Sequence, residues 1–388
     1  MLWQSFFSTS DDVEDCLKQC REKLQGLRHS NVVFFFVSAA FYEDYGKIRD
    51  SLGDTFSKAR ILGCSASGLI GTGVEAEFKP GLSVLAGYVP NAKVDLFHLE
   101  HLPELDGPPE AWRKAVAPGG DEVKALVLLA DPFSMEVPNA LSGLDFAFPH
   151  AVKVGGVASG CRVPGDAALF VDAKTYSSGL CGAVFSGDIE VMPVVAQGCL
   201  GVGKQYVVTE SQNNVILKLD GQSATDALTE TLQSLSPEQR EAYLTTNLFI
   251  GLGAGGPALE YRPGEFLVRQ VVATSRERGA IAVGGAVRNG QTVQFHFRNA
   301  QTSRKDLLTV LERARQNSGA MPGGALAFSC LGRGEGLYGK KHHDSQAFGE
   351  VFGPIPLSGF FCNGEIGPVG SETCLHGFTT SFAVFCSG

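Results

Sequence analysis

The chain sets short apolar runs between clusters of glycine and other turn formers. From 11 to 28, Val13, Cys16, Leu17, Cys20, Leu24 and Leu27 recur at helical spacing. Asp11 and Glu14 stand as a capping box at its start, so the first 29 residues are expected to form an N-terminal helix. NVVFFFVS (31–38) has no polar face and reads as a strand covered on both sides. Phe41 to Leu52 returns to helical spacing. ARILGCSASG (59–68) is strand and turn, and GLSVLAGYV (81–89) and KVDLFHLE (93–100) are strands about a turn at Pro90-Asn91. A Pro/Gly-rich stretch (103–120) encloses a short helix around Trp112. KALVLLADPF (124–133) is a buried strand that stops at Asp131-Pro132, because proline has no amide to give a ladder.

LGCSASG (62–68) and VGGVASG (154–160) share one pattern, apolar-Gly-x-x-Ala-Ser-Gly. The strand pairs downstream, 81–99 and 179–195, also correspond, so 30–100 and 124–197 read as two copies of one α/β unit. The second half follows the same grammar more loosely. A helix is expected at 223–235, then strands at 247–256, 266–274, 280–287 and 292–298. In the last, Val293, Phe295 and Phe297 share a face. A helix (303–315), the strand ALAFSC (325–330), a short helix (343–352) and two strands, 356–364 and 379–385, complete the chain. Hairpins outnumber crossovers. The expected fold is α+β: largely antiparallel sheets flanked by helices, with internally repeated α/β units in two halves. The expected domains are 30–205 and 206–388, with mixed sequence near 198–222 between the halves.

Composition narrows the function. The formal charge is -9, and no basic stripe exists to displace counterions from a nucleic acid. The 48 glycines, roughly 12% of the chain against about 7% on average, sit in turns. The N-terminus lacks the basic and apolar regions of a signal peptide, and the longest apolar run, Val32 to Val37, falls far short of a membrane span. Ten cysteines with no C-x-x-C spacing fit a cytoplasmic protein with reduced thiols.

Gly334-Glu335-Gly336-Leu337-Tyr338-Gly339 matches G-x-G-x-x-G, as does Gly251 to Gly256. Neither is followed by the helix, strand and acidic residue that a dinucleotide site needs, and neither ends in G-K-[ST]. Cys330 stands at a strand end with His342, His343 and His376 as candidate bases and Glu365 and Asp344 as orienters. No spacing assembles them into a catalytic set, so a non-enzymatic protein is expected, with a cysteine-dependent enzyme at Cys330 as an alternative. No metal-ligand spacing occurs, and no cofactor is expected. Haem stays open on His150, His296, His342, His343 or His376, since one axial histidine leaves no signature. The remaining reading is a small-molecule cavity. Glycines would present amides to an anion, Arg333 a fork for a carboxylate, and Tyr338, Phe360, Phe361 and Phe378 apolar walls. Glu365 either meets a ligand amine or pairs with Arg333.

CLGRGEGLYG (330–339), PLSGFFCNGEIGPVG (356–370) and LHGFTTSFAVF (375–385), in that order, resemble the C-terminal signature of the FIST family, named for F-box and intracellular signal-transduction proteins. GCSASG and GLSVLAG resemble its N-terminal half, so the likeness spans about 30–385. The resemblance implies a sensory module for small ligands, amino acids or related carboxylates, working in intracellular signalling. It also implies the alternatives of a protein-recruiting adaptor linked to a ubiquitin ligase and of a haem-binding sensor. Carried onto this sequence, its motif residues are Cys330, Gly332, Arg333, Gly334, Tyr338, Gly339, Gly359, Phe360, Gly364, Glu365, Gly367, His376 and Thr379. Too few residues precede the FIST-like region for an F-box, so output is expected to pass to a separate signalling or ubiquitin-ligase partner.

Overall fold

A computed structural model describes the chain except residues 245–246, 255–259, 263, 320 and 388 and the side chains of 238, 241, 242 and 244. The second G-x-G-x-x-G therefore lies partly outside the described residues. The chain divides into two compact units. One comprises 1–195, 308–368 and 373–388, the other 196–307 and 369–372. The expected second domain, 206–388, is thus shared between them. The α+β expectation holds in both.

The first unit opens with strand β1 (Leu2–Ser8), not directly with a helix. Helix α1 (Val13–Lys23) follows, capped by Asp12, whose side chain accepts from the Glu14 amide. The box expected at Asp11 is thus displaced by one residue. Next come β2 (Val32–Ser38), α2 (Tyr45–Thr55), β3 (Arg60–Ala66), the pair β4 (Gly68–Gly71) and β5 (Val74–Glu77), then β6 (Leu82–Tyr88) and β7 (Ala92–Leu99). After α3 (Pro109–Val116) the same sequence of elements returns. It runs β8 (Val123–Ala130), α4 (Val137–Ala147), β9 (Val152–Val157), β10 (Leu169–Val171), β11 (Lys174–Tyr176), β12 (Leu180–Gly187) and β13 (Glu190–Ala196).

The second unit is a seven-stranded sheet of β14 (Leu200–Gln212), β15 (Val215–Leu219), β16 (Gln222–Ser223), β17 (Leu248–Gly253), β18 (Phe266–Ser275), β19 (Ala280–Val283) and β20 (Thr292–Phe297), in the order 14-20-17-18-19-15-16. Helix α5 (Ala224–Ser234) is capped by Ser223, and Ala224 and Ala227 join its core; α6 (Pro237–Leu244) follows it in sequence. Helix α7 (Ala300–Asn317) leads in the chain to β21 (Pro322–Cys330), α8 (Gly334–Tyr338), α9 (His343–Phe352), β22 (Leu357–Cys362), β23 (Gly364–Val369), β24 (Glu372–His376) and β25 (Thr380–Cys386). The pair β23–β24 was not among the expected strands.

The first unit holds three copies of the repeat, not two. Its sheets run β1-β6-β2-β3-β10-β11, β7-β12-β8-β9-β23-β24 and β13-β25-β21-β22-β4-β5. Each centres on a parallel pair joined through a helix, and an antiparallel strand flanks it. Each copy lends its two-strand insert to a neighbour's sheet. The strands expected as hairpins, β6 with β7 and β12 with β13, part at their turns and enter different sheets. A connection of two or three residues fixes proximity of strand ends, not pairing.

Alternation within wholly apolar strands explains the layering. Phe34 and Phe36, Val127 and Leu129, and Leu326 and Phe328 point into one shared core. The intervening Val33, Phe35 and Val37 pack under α1 and α2, and Leu126 and Leu128 under α3 and α4. On the third sheet, Phe348 of α9 stacks on Phe382 at 5.1 Å. Each such side chain contributes about 1.5–3 kcal/mol by burial. No described helix is long and apolar enough to cross a membrane, and no disulfide links the described cysteines.

Candidate functional site

The three strands that end the parallel pairs stop at homologous turns: Ser67-Gly68, Ser159-Gly160 and Asn363-Gly364. These turns bind one another. Ser159 Oγ donates to the Phe361 carbonyl (2.5 Å) and accepts from the Ser67 amide (2.9 Å). Asn363 Nδ2 donates to the Ala158 carbonyl (2.9 Å). The third turn carries the C-terminal signature, and several signature residues converge on the neighbouring turn 377–380, where Phe378 is left-handed (φ 65°). The Cys330 amide donates to the Thr379 carbonyl (2.9 Å). The Thr379 amide donates to the buried Glu365 carboxylate (3.0 Å). Arg333 Nη1 lies 3.4 Å from the Phe378 carbonyl. His376 Nε2 lies 3.1 Å from the Gly367 carbonyl.

Arg333 is wholly buried and does not present its fork to a ligand. Nε and Nη2 grip both oxygens of Asp344 at 2.7 and 3.0 Å. Asp344 is not the partner considered for Arg333 in the sequence, where Glu365 is left between a ligand amine and this guanidinium. Burial alone would raise the Asp344 carboxyl, but Arg333, aided by His343, holds it well below the usual carboxylate range. Ser329 Oγ (2.6 Å) and His343 Nδ1 (2.8 Å) contact the same carboxylate. Serine and imidazole thus share one acid and do not form a serine–histidine–acid relay. The His343 ring stacks on Tyr338 at 3.3 Å, and the Arg333 guanidinium lies 5.6 Å from the Tyr338 ring centre.

One glycine of this loop, Gly334, lies against a carboxylate that belongs to the protein. Gly334–Tyr338 forms one short helical turn, α8, closed by left-handed Gly339 (φ 64°). A Cβ on Gly334 would fall 2.2 Å from the Glu77 carboxyl group, whose Oε1 accepts from the Glu335 amide (2.7 Å). Glu75, two residues earlier on β5, accepts from the Ser345 amide at the start of α9 (2.6 Å), and its own amide donates to His342 Nδ1 (2.8 Å). These acids come from sequence distant from the signature. The alternation Glu75-x-Glu77 on a short strand was the available sign of them.

Other expected site residues lie on β21, β22 and β23 or beside them. Phe360 is buried in the shared core, stacked on Phe36 at 4.8 Å. Gly359 lets β22 lie against β21, since a Cβ there would come within 2.0 Å of the Ala327 carbonyl oxygen. Gly364 begins β23 opposite Val157. Cys330 is half-buried and Gly332 exposed beside Phe378. His296 is buried in the second unit with Nδ1 2.9 Å from the Gln294 carbonyl, and His150 is exposed.

An open cleft of about 480 Å³ adjoins the signature. Pro132 to Pro138, the segment after β8, form one wall, and Val157, Asn363 and Leu375 the other. The segment is fixed from beneath by buried Asp131, whose Oδ2 accepts from the amides of Phe133 and Ser134 (3.1 and 2.7 Å) and from Ser134 Oγ (2.6 Å).

The FIST N domain model matches residues 31–222 and the FIST C domain model residues 224–368. An uncharacterized protein of Mycobacterium tuberculosis is 35% identical over 327 residues, 84% of each chain. An uncharacterized protein of Mycobacterium bovis is 36% identical over 259 residues, 67% of each. Among solved structures, a chorismatase aligns over 99% of this chain and 98% of its own at 7% identity, with a TM-score of 0.35, a likeness too distant to carry weight. The two family models, in order and over most of the sequence, place this chain in the FIST family, with both its N and its C domain.

Proposed function

We propose that this protein is a small-ligand-binding sensory or adaptor module that receives its guest in the cleft between residues 132–138 and the Asn363–Leu375 side. The observation that carries this reading is the cleft itself, open and walled in part by the family signature. Family membership supports the sensory role. The guest class is an amino acid or related small carboxylate. Asn363 Nδ2, with a second hydrogen beyond the one given to the Ala158 carbonyl, offers a donor to a carboxylate, and Glu136 an acid to an ammonium group. Phe133, Met135, Val137 and Leu375 offer apolar surface to a side chain. Arg333 serves as the brace of the neighbouring loop. Output passes to a separate protein partner.

The test is thermal melting with the twenty amino acids and a panel of small organic acids. A true guest at a hundredfold excess over its Kd adds about 2.7 kcal/mol of stability. Asn363→Asp, which sets a negative charge against the carboxylate, and Met135→Trp, which fills the cleft, should each remove the shift. A panel with no shift, or a shift that survives both substitutions, would overturn the assignment.

A further inference from the structure

We propose that loop 330–344 is fastened to the β4–β5 hairpin by a proton-dependent latch centred on Glu75, tightest in acid and loosest above neutral pH. The inference does not rest on the ligand-binding reading, because it concerns different residues and needs no guest.

Three carboxylates meet where the loop and the hairpin touch: Glu75 and Glu77 from β5, and Asp344 from α9. One guanidinium, Arg333, serves them, and it is committed to Asp344 through two hydrogen bonds. Among the described residues Glu75 has no ion-pair partner. It is buried; its carboxyl accepts from the Ser345 amide, and its backbone amide donates to His342 Nδ1. The groups around it are Asp344, His343 and Ser345 of α9, His342 before it, and Glu77 on its own strand; β4, Gly-Leu-Ile-Gly, brings no titratable side chain.

Burial, then the charge of Asp344, pushes the Glu75 carboxyl up to about 7, against the pull of the Ser345 hydrogen bonds. The released carboxyl has an ordinary value, about 4.5. Between these values the closed latch binds more protons than the open one, so closure weakens as pH rises through the window and changes no further above it. Asp344, held low by Arg333, stays ionised throughout and supplies a constant repulsion. The fastened loop carries Cys330, Gly332 and the turn partners of Phe378. Opening the latch therefore changes the surface beside the signature.

Hydrogen exchange of the amides of 331–345, corrected for the intrinsic rate, reads the latch. Wild-type protection should fall roughly tenfold per pH unit from about pH 5 to 7 and then level off. Glu75→Gln, which keeps the acceptor and cannot ionise, should hold protection flat. Wild-type protection that is constant over this range, or a Glu75→Gln profile that follows the wild type, overturns the latch. Should Glu75→Gln not fold, ¹³C titration of the wild-type glutamate carboxyls decides. One carboxyl titrating near 7 supports the latch, and none above about 5 overturns it.

Discussion

Arg333 shows what a residue type can and cannot announce. A lone arginine in a glycine-rich turn is well suited to a carboxylate, and it does hold one, but the carboxylate is that of Asp344, eleven residues on. Charge and spacing reveal the need for an anion and not its owner. Glu365, the acid weighed for this role in the sequence, accepts from the Thr379 amide. Arg333→Ala should cost about 3–5 kcal/mol by leaving a buried carboxylate unmatched. Arg333→Met combined with Asp344→Leu should cost clearly less than that single change. Urea unfolding of the first unit, followed through a double-mutant cycle, measures both. A ligand-anchoring arginine would instead lose binding with little loss of stability.

At the scale of elements, the strands and helices were legible wherever burial follows a simple period. β2, β8 and β21 announced themselves as apolar runs, and α1 by its spacing and cap. The third repeat was harder to see. Its mark is a glycine at the same place in each parallel pair, followed five residues later by another: Gly63 and Gly68, Gly155 and Gly160, Gly359 and Gly364. At the first of each, a Cβ would lie 2.3 Å from the Phe35, 1.9 Å from the Leu128 and 2.0 Å from the Ala327 carbonyl oxygen. Gly155→Ala and Gly359→Ala should each prise open a central ladder and yield little folded protein by circular dichroism. Gly336→Ala, in the exposed turn α8 with nothing within 4 Å of its Cβ position, should fold normally and gain up to about 1 kcal/mol from helix propensity. The paths taken by β7, β13 and the two-strand inserts were not legible. Alternation specifies which face of a strand is buried and leaves open which sheet receives it.

For the molecule as a whole, the two units should answer pH with opposite signs. Burial pushes His296, in the second unit, down to about 4 from 6.5, against the pull of the Gln294 carbonyl. The unfolded histidine takes up a proton first, so the second unit loses stability as pH falls from about 6.5 to 4. Glu75 acts in the other direction, and the first unit loses stability as pH rises from about 4.5 to 7. Calorimetry across this range should show one transition moving up while the other moves down. His296→Gln should flatten the first trend and Glu75→Gln the second. A common slope in both transitions would refute the scheme.

The exchange of strands among the three copies also bears on how the polypeptide is made. The first sheet draws all its strands from residues before 177, whereas the third needs β21, β22 and β25 before the β4–β5 hairpin has a sheet to join and β13 a strand to pair with. While a ribosome is still translating the second unit, that hairpin and strand must wait with bare edges, open to pairing with other nascent chains. A fragment ending at 222 should aggregate, and one supplied with residues 308–388 in trans should be rescued into soluble form. The last eighty residues thus act as the clasp of the molecule, and chaperone demand during synthesis should end on their emergence.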